Sequence, residues 1–141
     1  MRSGFAHYNR SANLIDFSQP VLVLDDVHTM TRIVDSMLRK CGFAAIEQVH
    51  DAATALQRVR AEQFLFVISD REMPGMTGLE FVREVRADSK IGYLPIIMMS
   101  ANSNSKLAEE AIAAGANAFL TKPFTLTTLR DVLVQVLRQR S

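Results

Sequence analysis

The chain has 141 residues, which sets the expectation of one domain, and at that size a single core suffices without disulfides or a structural metal. Sixteen Lys and Arg against fifteen Asp and Glu leave a net charge of +1, with 48% hydrophobic and 22% charged residues, a balance that excludes a disordered chain and a strongly basic nucleic-acid binder. Cys41 is the single cysteine, so an internal disulfide and a multi-cysteine zinc centre are excluded, and a reducing compartment, the cytoplasm, is expected.

Residues 1–19 scatter their apolar side chains among Asn9, Arg10, Asn13, Asp16 and Gln19 and stop at Pro20. That pattern carries no secretory signal, and it reads as an extension of unknown role before a domain spanning 20–141. From Pro20 onward, short apolar and β-branched runs alternate with longer amphipathic stretches, the pattern of a parallel sheet with crossover helices. The expected strands are Val21 to Asp25, Ala45 to Val49, Phe64 to Ser69, Pro95 to Ser100 and Ala118 to Thr121. Between the first two, Ile33, Val34, Met37, Leu38 and Cys41 recur at helical spacing, and Gly42 follows where a helix would stop. Leu79, Val82 and Val85 form a stripe after the third strand. Leu107, Ala108, Ala111 and Ile112 form the next, ended by Gly115, and Leu126, Leu129, Leu133, Val136 and Leu137 mark a last helix. The result is an α/β fold of five β and five α units: a doubly wound, five-stranded parallel sheet with helices on both faces. No apolar run approaches the roughly 20 residues of a membrane helix, and no Gly-rich phosphate loop follows the first strand.

Four apolar runs end in polar residues: Asp25-Asp26, Asp70, Ser100 and Lys122. In open α/β sheets ligands bind outside the carboxyl ends of the strands, so these residues, far apart in sequence, converge on one edge. Each has an ordinary reading by itself. Asp26 suits a helix cap, Asp70 a turn before Pro74-Gly75, Ser100 a strand-end hydroxyl and Lys122 a solvated lysine. Their conjunction at four strand ends argues for a site. Carboxylates gathered there repel one another, by about 4 kcal/mol per pair at ~4 Å and an effective dielectric of 20. A hard divalent ion such as Mg2+ would relieve them. Asp70 then suits a carboxylate nucleophile toward a phosphoryl group, with Lys122 neutralising the transferring oxygens and Ser100 bonding one of them. His28 reads as a solvent-facing residue of the first helical turn, and His7 and His50 join no constellation. The scattered Lys106, Arg130, Arg138 and Arg140 read as solvated, so no direct nucleic-acid contact is expected.

From about Pro20 to Gln139 the chain resembles the receiver domain of two-component response regulators. The motifs that carry the resemblance are Leu24-Asp25-Asp26, the run from Val67 through Asp70, Pro74 and Gly75 to Gly78, then Met99-Ser100-Ala101, and Thr121-Lys122-Pro123-Phe124. The stretch from Asp25 to Val34, with Ile68-Ser69-Asp70 and Gly78-Leu79-Glu80, looks most like the single-domain chemotaxis regulator.

The resemblance implies that Asp70 accepts a phosphoryl group from a histidine kinase or a histidine phosphotransfer protein. Asp25, Asp26 and Asp70, with the backbone carbonyl of Glu72, would organise magnesium, and Lys122 would pair with the acyl phosphate. Ser100 and Phe119 would act as switch residues, with a cis bond at Lys122-Pro123. The output face would be formed by the fourth helix, fifth strand and fifth helix, in a monomer or a phosphorylation-promoted dimer. Glu72 and Asn102 occupy the two positions that tune dephosphorylation in the family. Phe119 departs from the tyrosine usual in chemotaxis regulators, so hydroxyl-dependent contacts with a flagellar-switch target are not expected.

After Gln139 no linker or DNA-binding segment follows, so a stand-alone receiver is expected. It would act as a chemotaxis partner, a phosphorelay intermediate or a phosphate sink. A phosphatase of the haloacid-dehalogenase type uses similar ingredients, but its nucleophile follows the first strand and its acidic pair comes late, whereas here Asp25-Asp26 precede Asp70. A module that binds partners without phosphorylation is disfavoured because every site residue is present.

Overall fold

The computed structural model describes residues 15–138. Its elements run β1 (Val21–Leu24), α1 (His28–Lys40), β2 (Ile46–Val49), α2 (Ala52–Ala61), β3 (Val67–Asp70), α3 (Gly78–Ala87), β4 (Ile96–Ser100), α4 (Ser105–Ala114), β5 (Ala118–Thr121) and α5 (Leu126–Arg138). The strands form one parallel sheet in the order β2-β1-β3-β4-β5. The expected doubly wound fold is therefore present, and the strand order reverses between β1 and β3.

Side-chain alternation along the strands divides the core in two. Val21 and Val23 of β1, Ile68 of β3, and Ile97 and Met99 of β4 face one layer with Val34 and Leu38 of α1 and Leu129, Leu133 and Val136 of α5. Leu22, Leu24, Val67, Ile96 and Met98 face the other, against α2, α3 and Ala111 of α4. Helices on both sides explain why these strands read as continuous apolar runs. Burying both faces of the central strands also holds their carboxyl ends in fixed register, which is what a site assembled from strand ends requires.

Local chemistry sets the helix starts. Asp51 caps α2 by accepting from Thr54 N, Thr77 and Glu80 form a reciprocal capping box at α3, and Asn104 accepts from Lys106 N at α4. The glycines that follow α1 and α4 both sit at positive φ, 112° at Gly42 and 118° at Gly115, where a Cβ would be strained.

Several expectations are corrected in detail. β1 ends at Leu24 rather than Asp25, and β3 begins at Val67 and takes in Asp70. Phe64, Leu65 and Phe66 are buried but precede the ladder of β3. Ile33 of α1 and Ile112 of α4 are 48% and 50% exposed rather than core. The reason for Ile112 is positional: α4 lies near the edge strand β5, has little sheet beneath it, and buries only Ala111. β2 is the other edge strand, which accounts for its half-buried, partly polar sequence Ile46-Glu47-Gln48-Val49. Its polar side chains bond to neighbouring helices, Glu47 to Arg58 and Gln48 to Asp35 and Thr31.

Candidate functional site

The register of the central strands brings the polar residues together. Leu24 of β1 pairs with Ser69 of β3, so Asp25 and Asp70 follow side by side, while Asp70 pairs with Met99 and Ser100 with Thr121. Asp70 thus lies in the middle of the sheet edge with the end of β1 on one side and that of β4 on the other. Asp25, Asp70 and Ser100 are buried, at 0%, 4% and 0% exposure, and Asp26 reaches solvent.

The structure separates each residue's ordinary reading from its place in the site. Asp26 does not cap α1: the N-cap position is Val27, and no side chain caps it. Asp25 Oδ1 instead accepts from Val27 N at 2.9 Å. Asp70 belongs to a strand and not to a turn. Ser100 Oγ accepts from Asn102 N at 3.1 Å and donates to the Glu72 carboxylate, 3.1 Å from Oε1 and 3.2 Å from Oε2. Lys122 is not solvated: its Nζ lies 2.8 Å from Asp70 Oδ1 and 3.3 Å from Asp25 Oδ2, with its side chain 16% exposed. The Lys122-Pro123 peptide is cis. Phe119 is half-buried on β5 against the layer containing α4.

The electrostatics follow from burying several carboxylates around one ammonium. Burial pushes Asp70 up to about 6; Lys122 opposes that shift but does not cancel it, and Asp25 and Glu72 add to it. Burial would lower Lys122, but its pairing with Asp70 and Asp25 outweighs that and holds it above its ordinary value. The charge is therefore only partly balanced. One oxygen each of Asp25, Asp26 and Asp70 lies within 4.8 Å of the others. Asp70 Oδ1, buried and close to Lys122, accepts no well-directed hydrogen bond. An all-oxygen donor set whose central carboxylate oxygen has an ion-pair partner but no directed hydrogen bond fits a hard divalent cation such as magnesium.

Other residues shape the site although no role there was assigned to them from the sequence. Gly78, the first residue of α3, packs directly on the Asp70–Arg71 peptide: a Cβ there would lie 2.2 Å from Asp70 O and 2.9 Å from Arg71 Cα. Its place, eight positions past Asp70 and next to a capping threonine, was the available signal. Arg71 bridges Glu72 at 3.1 Å and Glu110 of α4 at 2.7 Å. His28 is exposed, as expected, but stacks on His50 with ring centroids 3.6 Å apart, so His50 does join a local group. His50 Nε2 lies 3.2 Å from Thr31 Oγ1, and burial, then His28, lowers its pKa. His7 and Arg140 lie outside the described residues. Among the described residues no helix is long and apolar enough to cross a membrane.

Comparison with known proteins places this geometry. The family model described as the response regulator receiver domain matches residues 21–134. The chain is 36% identical over 123 residues to the chemotaxis protein CheY-3 of Vibrio cholerae serotype O1, covering 87% of this chain and 95% of that protein. It is 37% identical over 116 residues to the chemotaxis protein CheY of Pseudomonas aeruginosa, covering 82% and 94%. Among solved structures, the chemotaxis response regulator CheY4 of Vibrio cholerae superimposes with a TM-score of 0.77 at 34% identity, covering 84% of this chain and 98% of that one. The receiver domain of a Pseudomonas aeruginosa sensor histidine kinase, with a magnesium ion coordinated in its active-site cleft, gives a TM-score of 0.78 at 26% identity over 86% and 98%.

Proposed function

Because the chain belongs to the response regulator receiver family, a family of signalling domains, we propose that it is a cytoplasmic phosphorylation switch in which Asp70 is the phosphoacceptor. The observation that carries this reading is the placement of Asp70: a buried carboxylate at the centre of the sheet edge, with one oxygen beside Lys122 and lacking a directed hydrogen bond, next to Asp25 and Asp26.

In the proposed reaction an Asp70 carboxylate oxygen attacks the phosphorus of a phosphohistidine on a sensor histidine kinase or a phosphotransfer protein. The O–P bond forms, the P–N bond breaks, and its electron pair leaves with the imidazole, which takes a proton from water. Lys122 faces the charge that develops on the transferring oxygens. Asp25, Asp26, Asp70 and the Glu72 backbone carbonyl would hold magnesium, which when bound supplies positive charge against the phosphoryl oxygens. Ser100 would bond a phosphoryl oxygen, and Phe119 would follow it, changing the face made by α4, β5 and α5 for a downstream protein target. Glu72 and Asn102 border the path of the water that would remove the phosphoryl group. Chemotaxis-type signalling is the favoured pathway because two of the curated relatives are chemotaxis proteins.

The test is intact-mass measurement after incubation with acetyl phosphate and magnesium. The wild type should gain one phosphoryl group, and Asp70→Asn and a magnesium-free control should not. No gain in the wild type, also with a panel of histidine kinases, would refute the phosphoacceptor role.

A further inference from the structure

Phosphotransfer makes no use of Arg71 or Glu110, yet a polar chain joins both to the site. Ser100 Oγ donates to the Glu72 carboxylate, Arg71 Nη1 donates to Glu72 Oε2, and Arg71 Nη2 donates to Glu110 Oε1. The chain starts at the hydroxyl of Ser100, one residue past the strand partner of Asp70, and ends on α4. Its central guanidinium is well held: the side chain is 17% exposed, and the Arg71 backbone is anchored to Met99 O through its N and to Gly78 N through its O. Arg71 Nε is buried with no acceptor, so this arrangement leaves the guanidinium a bond to gain.

Resting on the reading of Asp70 as phosphoacceptor, we propose that Arg71 and Glu72 form a latch, closed in the unphosphorylated chain and opened by phosphorylation, that couples Ser100 to α4. The Ser100 hydroxyl carries one proton and can donate it to Glu72 or to a phosphoryl oxygen, not to both. A phosphoryl oxygen on Asp70 accepts that hydrogen bond and brings negative charge near the Glu72 carboxylate, so both effects release Glu72 from the Ser100 hydroxyl. Arg71 then loses one of its two carboxylate partners and re-forms its bonds, including the one to Glu110. Phosphorylation and the position of α4 are thereby linked through a contact that exists in only one state, which is the requirement for a ligand to shift an equilibrium. Arg71 is a positioning residue here: it acts on Ser100 through Glu72.

The test uses the isotopically labelled full chain with acetyl phosphate and magnesium, read by intact mass and by NMR of the Arg71 Nε–H and the backbone amides of residues 105–114. In the wild type both sets of resonances should move with phosphorylation. Glu110→Gln, on the exposed side of α4 and outside the phosphotransfer site, should still gain one phosphoryl group while the displacement over 105–114 falls at least twofold and amides 52–61 respond as in the wild type. Unphosphorylated Glu72→Ala should already show at least half of the α4 displacement. Wild-type amplitude over 105–114 in phosphorylated Glu110→Gln, or an Arg71 Nε–H that ignores phosphorylation, would overturn the latch and leave the phosphoacceptor reading intact. Absence of phosphoryl uptake by the wild type would remove the competing acceptor and overturn both.

Discussion

Replacing Asp70 by Asn should stabilise the metal-free protein at neutral pH. In the folded chain the Asp70 carboxyl is pushed up to about 6 from an ordinary 3.8, chiefly by burial. The side chain is 5% exposed, so solvent screening does not dilute the effect. The sign follows from linkage. Between pH 3.8 and 6 the unfolded chain has released this proton while the folded chain still holds it, so the folded state loses stability as the pH rises through that window. The loss is complete above about 6. At 1.36 kcal/mol per pH unit it reaches about 3 kcal/mol. Asn has nearly the same shape and no charge, and it leaves Lys122 paired with Asp25. Urea denaturation in chelator should therefore find Asp70→Asn more stable than wild type by about 3 kcal/mol at pH 7.5, a rise in Tm of roughly 9 °C, with the advantage disappearing toward pH 4. Magnesium at a hundred times its dissociation constant should stabilise the wild type by about 2.7 kcal/mol and close most of the gap, with no comparable effect on the variant. Equal stability of the two proteins at pH 7.5 in chelator would refute the claim that the ionised carboxylate is held at a cost to the fold.

Three further outcomes are expected. Gly78→Ala should destabilise the protein by about 3 kcal/mol and reduce acetyl-phosphate labelling, because the new methyl meets the backbone of Asp70 and Arg71; thermal denaturation with intact mass checks both, and a labelling rate like that of the wild type would count against this packing. Arg86→Met should cost about 3 kcal/mol, since Arg86 donates to Gly92 O, Leu94 O, Gly115 O and Asn117 Oδ1 and its loss takes a donor from three backbone carbonyls, whereas Asn117 Oδ1 keeps Ile96 N; chemical denaturation reads the change, and a loss under 1 kcal/mol would show that water replaces the side chain. Glu72→Asn should shorten the lifetime of the phosphorylated form several-fold by removing the negative charge beside the path of the attacking water; decay followed by intact mass tests it, and equal decay in the two proteins would exclude that role.

The order of elements and the identity of the sheet-edge residues were legible in the chain because both depend on local pattern. Apolar, β-branched runs broken by amphipathic stretches specify strands and helices one at a time, and a polar residue closing each run marks a strand end wherever that strand lies in the sheet. Asp25, Asp26, Asp70, Ser100 and Lys122 were therefore visible one by one, and the rule that open sheets bind ligands at their carboxyl ends gathered them. Lateral order and register lay beyond local pattern. That β3 sits between β1 and β4, placing Asp70 beside Asp25, follows from packing helices on both faces at once. The same packing exposed Ile33 and Ile112, which share the helical spacing of true core residues: periodicity selects a stripe but does not fix its width, which depends on how much sheet lies beneath the helix. Contacts between residues distant in sequence were invisible for the same reason. Neither Arg71 nor Glu110 stands out in its own segment, and His50 acquires meaning only against His28. The sequence determined which chemistry each strand end can offer. Tertiary structure decided which of these groups share a charge, a proton or a hydrogen bond, because those interactions depend on distances of a few ångströms that only the assembled sheet sets.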